Sequence, residues 1–144
     1  MSQEIIATYR PTEKESYMNQ RQLLYFKQKL LEQKTEIQEK ALKIKARIKC
    51  FKTNPADLID KSDFYMDMER NLSNYERYNQ KLKLINGALQ RMKTGQFGYC
   101  ELTGSPIGLE RLEILPYASM SVEALELFEM PGGFSPAFCY QPCA

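Results

Sequence analysis

The residues whose types and spacing come nearest to a known chemistry are Cys100, Thr103, Ser121 and Ala124. They stand at the intervals of a C-x2-C-x17-C-x2-C frame, with a thiol at the first position only. A structural zinc site takes four ligands, usually thiolate or imidazole. Neutral hydroxyls ligate zinc poorly and a methyl group does not ligate at all, so the degenerate frame predicts no bound metal. The chain has no histidine, which removes the commonest nitrogen ligand and the commonest general base. Cys139 and Cys143 would bring the number of neighbouring thiols to three only if the end of the chain folded back. The simpler reading is one isolated reduced thiol at Cys100 and two more in a tail.

A second candidate is the pair Asp57 and Asp60, a D-x-x-D beside Pro55. Paired carboxylates hold cations or move protons. Here no histidine and no glycine-rich phosphate cradle converges on them. On their own residues they read as a solvated turn carboxylate and a helix cap. Their position gives them interest, because it lies between two long helical segments. Charge offers a third signal. From Gln20 to Cys50 nine Lys/Arg face three Glu, whereas acids outnumber bases from Asp57 to Arg77. The basic side chains are spread around the first segment without interleaved aromatics. Two solvated arms of opposite bias explain this more simply than a nucleic-acid surface.

These residues need elements to place them. Asn19 is a good N-cap, and no Gly or Pro follows until after Cys50. Leu23, Phe26, Leu30, Ile37, Ala41, Ile44 and Ile48 recur by threes and fours, interrupted by polar Gln33 and Lys34. This predicts an amphipathic helix with a narrow seam. Pro55 breaks it. Asp60 caps a second helix from about Lys61 to Lys93, with Asp63 in its first turn. Its predicted seam is Phe64, Met68, Leu72, Tyr75, Tyr78, Leu82, Ile85, Leu89 and Met92. Gly95 stands where a C-terminal cap glycine belongs. Two such seams joined by a short loop predict an antiparallel coiled-coil hairpin with its tip at 50–62.

The expected fold is therefore mainly α. A coiled-coil hairpin over 19–94 follows a loose lead-in at 1–18. A small lobe over 95–130 carries the degenerate zinc-finger-like module and a short C-terminal helix, and 131–144 reads as a flexible tail. Turn signals in "FGYCELTGSPIGLERLEILPYAS" suggest that the lobe is irregular or holds some β structure. Phe97, Tyr99, Ile107, Leu109, Leu112, Ile114, Val122, Leu125 and Phe128 are the candidate lobe core. Ser121 can cap the last helix. The net charge of +2, the absence of a membrane-length apolar run and the absence of a secretory leader point to a soluble cytoplasmic protein. A hairpin that satisfies both seams internally is expected to be a monomer.

In order and spacing, "SYMNQRQLLYFKQKLL" (16–31), Asp57-x-x-Asp60, "GQFGYC" (95–100) and the four-position frame resemble the DksA/TraR family of bacterial transcription factors. The resemblance covers roughly 15–130. The thiol-poor frame is similar to that of the family's zinc-independent members. The resemblance implies a non-enzymatic regulator of RNA polymerase, with no cofactor of its own and no sequence-specific DNA binding. It implies that the hairpin enters the secondary channel and destabilises open promoter complexes in the stringent response. It makes Asp57 and Asp60 the active-site-proximal tip. Ser62 stands where the family has alanine. It implies ppGpp as a co-regulator at the polymerase interface, with Arg77 and Arg111 as contacts. Leu84, Leu115 and Leu125 occupy three further positions that are basic in the family, so weakened ppGpp dependence is expected. A helical-hairpin adaptor and a transcript-cleavage stimulator acting in the same channel are the competing readings.

Overall fold

The computed structural model of the chain describes residues 9–53 and 61–129. Two helices of equal length dominate it: α1 (Gln20–Thr53) and α2 (Lys61–Thr94). At 1.5 Å per residue each is about 51 Å long. They pack antiparallel. Phe26 and Leu30 of α1 share a core with Ile85 and Ala88 of α2. Further out, Ala41 lies in a groove with Tyr75 and Leu82.

Both ends of the hairpin at its base are capped as their sequences dictate. Asn19 accepts the Gln22 backbone N–H at 2.8 Å through its side-chain oxygen, and Gln22 reaches back to accept the Met18 N–H at 2.8 Å. That reciprocal pair satisfies donors that the first turn leaves open. At the other end Gly95 takes a φ of 76°, and the Gln96 N–H bonds to the Arg91 carbonyl at 2.9 Å. This six-to-one bond with a left-handed glycine is a Schellman stop.

The seams differ from expectation in one place. Leu72 is exposed, and Asn71 is the half-buried residue of that turn. With Asn71 the α2 steps alternate four and three without a slip from Phe64 to Met92. Apolarity favours the leucine, but the heptad period points to its neighbour, and the period decides. A polar seam residue costs stability but fixes register. In α1 the polar interruption is real. The buried Gln33 Oε1 has no hydrogen-bond partner among the described residues.

The lobe is built on one side of the hairpin base, from α3 (Leu109–Ile114), α4 (Val122–Glu129) and the loops before each. Helix α3 replaces part of the stretch expected to be irregular or β. Gly108 and Pro116 bracket it, and Leu109 and Leu112, three apart, point inward. The β content among the described residues reduces to one bridge, Tyr99 with Pro106. The expected lobe core also needs correction. Tyr99, Ile114 and Val122 are exposed. Phe97, Cys100, Ile107, Leu109, Leu112 and Ala124 instead join Phe26, Leu30, Ile85 and Ala88 in one continuous cluster. The lobe has no separate core; it completes that of the hairpin base.

The lead-in is docked rather than loose over residues 9–18. The Tyr9 ring meets Tyr25 edge-on and lies under the Arg21 guanidinium, and its hydroxyl bonds to Glu15.

Candidate functional site

The loop after α2 brings Cys100, Thr103 and Ser121 together. Gly98 and Gly104, both with positive φ, let the chain reverse, so that the Cys100 N–H bonds the Ser105 carbonyl at 2.8 Å and the Gly104 N–H bonds the Cys100 carbonyl at 2.9 Å. The Glu101 N–H takes the Ser119 carbonyl at 3.0 Å, which lays this loop against the segment leading to α4. Ser121 caps α4: its Oγ accepts the Ala124 N–H at 3.3 Å. Cys100, Ser121 and Ala124 are buried, whereas Thr103 is exposed and bonds Ser105 through its hydroxyl at 2.6 Å.

The thiol at the centre of this frame has an unusual environment. Burial pushes the Cys100 pKa up. The Thr103 hydroxyl and the backbone N–H groups of Thr103, Ser121 and Leu102 act on the sulfur in the opposite sense and prevail, bringing it down to about 6. Hydrogen bonds to an anion favour it. The loop therefore keeps a cradle suited to a thiolate. The donor set does not fit zinc: one thiol, two neutral hydroxyls and a methyl group supply one anionic ligand where four strong ones are needed. Among the described residues no group of three or more His, Cys, Asp or Glu could hold a metal ion. Cys139 and Cys143 lie outside the described residues.

Direct bonds tie the lobe to the hairpin. The Tyr17 hydroxyl donates to the Gly98 carbonyl at 2.6 Å and accepts the Gly108 N–H at 3.1 Å, clipping the two ends of the loop together. Lys29 donates to the Glu113 carbonyl at 2.6 Å and pairs with its carboxylate at 3.1 Å. Tyr25 donates to the same carboxylate at 2.6 Å. Burial, then that hydrogen bond and the carboxylate's charge, push Tyr25 up to about 12. On Glu113 burial acts upward, but the bonds from Tyr25 and Lys29 hold it below the usual carboxylate range. From the end of α2, Arg91 pairs with Glu101 at 3.0 Å and reaches the carbonyls of Tyr117 and Ala118. Sequence periodicity missed this set, because partners stand from 10 to 91 positions apart.

The remaining candidates are scattered. Asp57 and Asp60 lie outside the described residues. Ser62 is exposed in the first turn of α2. Arg77 is exposed on the flank of α2. Arg111 is half-buried on α3 and donates through Nε to the Met120 carbonyl at 3.1 Å. Leu84 and Leu115 are exposed and Leu125 is half-buried.

A two-helix hairpin rooted in a lobe with a degenerate zinc-finger loop defines a recognisable architecture. A family model described as the prokaryotic dksA/traR C4-type zinc finger matches residues 95–129. The chain is 46% identical over 121 residues to the RNA polymerase-binding transcription factor DksA of Caulobacter vibrioides (strain NA1000 / CB15N), covering 84% of this chain and 85% of that one. It is 30% identical over 125 residues to the protein of the same name from Haemophilus influenzae, covering 87% and 86%. The solved structure of transcription factor DksA2 from Pseudomonas aeruginosa matches with a TM-score of 0.73 at 32% identity, covering 88% of this chain and 94% of that chain. The chain belongs to the DksA/TraR family.

Proposed function

We propose that this protein is a cytoplasmic transcription regulator that binds RNA polymerase and acts without a resident metal. The observation that carries the reading is the extent of the Caulobacter match. It spans 84% of the chain, more than the lobe alone can account for, and that relative's name states polymerase binding. A stiff arm about 51 Å long is a suitable probe for a deep channel. In this reading the hairpin enters the secondary channel, and Asp57 and Asp60, with Ser62 beside them, approach the active site. Carboxylates there would compete for basic side chains or act on the catalytic metal's field. Open promoter complexes lose stability as a result, and rRNA promoters are inhibited. No catalytic role falls to this chain.

The same reading gives ppGpp a weaker part than in zinc-bearing relatives. Arg77 and Arg111 would contact it, but leucines at 84, 115 and 125 offer a phosphate no charge-assisted bond. The metal-free part of the proposal rests on the donor set at 100, 103, 121 and 124 and on the clip that Tyr17 makes across the loop.

Run-off transcription from an rRNA promoter tests the proposal. Wild type should inhibit, and Asp57→Asn with Asp60→Asn should abolish inhibition while polymerase binding persists. Undiminished inhibition by the double variant would remove the tip from the mechanism. Arg111→Ala should flatten the response to a ppGpp titration. Equal curves for wild type and variant would remove that arginine from the ppGpp contact.

A further inference from the structure

We propose that the hairpin base carries a docking groove for an acidic amphipathic helix of a partner protein, on the face turned away from the lobe. The groove runs between α1 and α2 and encloses about 610 Å³. Leu23, Leu24, Leu31, Leu89 and Met92 form its floor and walls. Leu24 and Leu31 remain 50% and 44% exposed, so the groove is unfilled by the described residues. At 100° per residue, Leu24, Lys27, Leu31 and Lys34 fall on the side of α1 opposite Gln22, Phe26 and Lys29. Phe26 packs on Phe97 and Lys29 bonds Glu113, which fixes that other side as the lobe side.

The periodicity of the groove is that of a helix seat. Leu24 and Leu31 are one heptad apart, and so are Lys27 and Lys34. Two packed helices with such a repeat leave room for a third, whose apolar seam fills the furrow at 8–10 Å interaxial distance. From Gln20 to Lys34 the furrow is about 21 Å long. That accommodates about 14 residues of helix, or two heptads.

The rim selects the charge of the occupant. Lys27 and Lys34 line it from α1 and Lys93 from α2, and among the described residues no acidic side chain lines it. None of the three lysines is in an ion pair among the described residues. Flanking charges of this kind decide which helix a coiled-coil surface accepts. An occupant with glutamates beside an apolar seam answers both features. A nucleic-acid backbone would answer the lysines and leave the leucines facing nothing. A second copy is disfavoured as well. The outer half of its hairpin, residues 35–50 and 61–77, brings eight bases against six acids to a cationic furrow. The acidic helix α4 has only eight residues, about 12 Å, and buries Ala124 in its own lobe.

The test uses the full-length chain and a synthetic 18-residue helical peptide with leucines on a heptad seam and glutamates on both flanks. Fluorescence anisotropy should show binding. Leu31→Glu, and separately Lys27→Glu with Lys34→Glu, should each weaken it about tenfold or more. A peptide with lysine for every glutamate should bind at least about tenfold more weakly. Amide shifts on titration should concentrate at residues 20–34 and 86–93. Leu31 and Lys27 are exposed and Lys34 is half-buried, and unchanged helicity by circular dichroism confirms that both variants fold. Absence of binding, equal binding by the variants, or equal binding of the lysine peptide would overturn the proposal. So would displacement of the peptide by single-stranded RNA with shifts at the same residues. A dimer in sedimentation that Leu31→Glu dissolves would assign the groove to a second copy instead.

Discussion

Replacing Tyr17 with phenylalanine removes one oxygen from the place where this lobe is clipped shut. The ring should stay where it is, because Phe keeps the edge-on contact that Tyr17 makes with Tyr99 at 5.6 Å. Two hydrogen bonds go. The Gly98 carbonyl retains a second donor, the Ile107 N–H at 2.8 Å, so losing the tyrosine leaves it satisfied. The Gly108 N–H has the Tyr17 oxygen as its acceptor and is left unpaired in a half-buried position. One ordinary bond lost and one donor orphaned should cost about 2 kcal/mol. The lobe shares its core with the hairpin base, so a single cooperative transition is expected. For a chain of this size that cost lowers Tm by about 4–8 °C. Thermal unfolding followed at 222 nm measures it, and the same drop should appear with a strong chelator present. Burial raises the Tyr17 pKa, so the hydroxyl keeps its proton through the neutral range and the effect should not depend on pH there. A drop below about 1 °C would refute the view that this hydroxyl holds the loop.

The Cys100 thiolate should make stability depend on pH. Its folded pKa of about 6 lies below the value near 8.5 expected when unfolded, so its contribution is full above the unfolded value and is lost as pH falls towards 6. Urea denaturation between pH 6 and 8 should give a slope about 1 kcal/mol per pH unit steeper for wild type than for Cys100→Ala; parallel slopes, or a thiolate absorbance titrating near 8.5, would contradict the N–H cradle. Gly98→Ala should destabilise by about 1–3 kcal/mol, because φ is 87° and the new Cβ would lie 2.7 Å from Met18 Cγ and Sδ. An unchanged urea midpoint would show that the loop adopts another path.

Local signals were the most legible part of the sequence. Asn19 and Gly95 set the ends of the hairpin because capping depends on neighbours three to five positions away. The seams follow from period alone; at Leu72 residue type and period disagree, and the period prevails. The lobe was less legible. Exposed Ile114 and Val122 look like core residues in the sequence, and only the docking of the lobe onto Phe26 and Ile85 decides which apolar positions are covered. The short α3 was bracketed by Gly108 and Pro116 but lies inside a run that also carries turn signals. The thiolate cradle was invisible, since it is made of backbone N–H groups from two loops. Tyr17, Tyr25 and Arg91 act across 10 to 91 positions, beyond the reach of any local pattern.

As proposed above, this member of the family regulates polymerase with a lobe that needs no metal. Run-off transcription from an rRNA promoter, with matched reactions in a zinc-selective chelator that spares the polymerase's catalytic metal and in added zinc, tests it most directly. Equal inhibition in both, by protein whose zinc content is far below one per chain, is the predicted result. Inhibition that disappears in chelator and returns with zinc would contradict the claim and show that ligands other than Thr103, Ser121 and Ala124 complete the site.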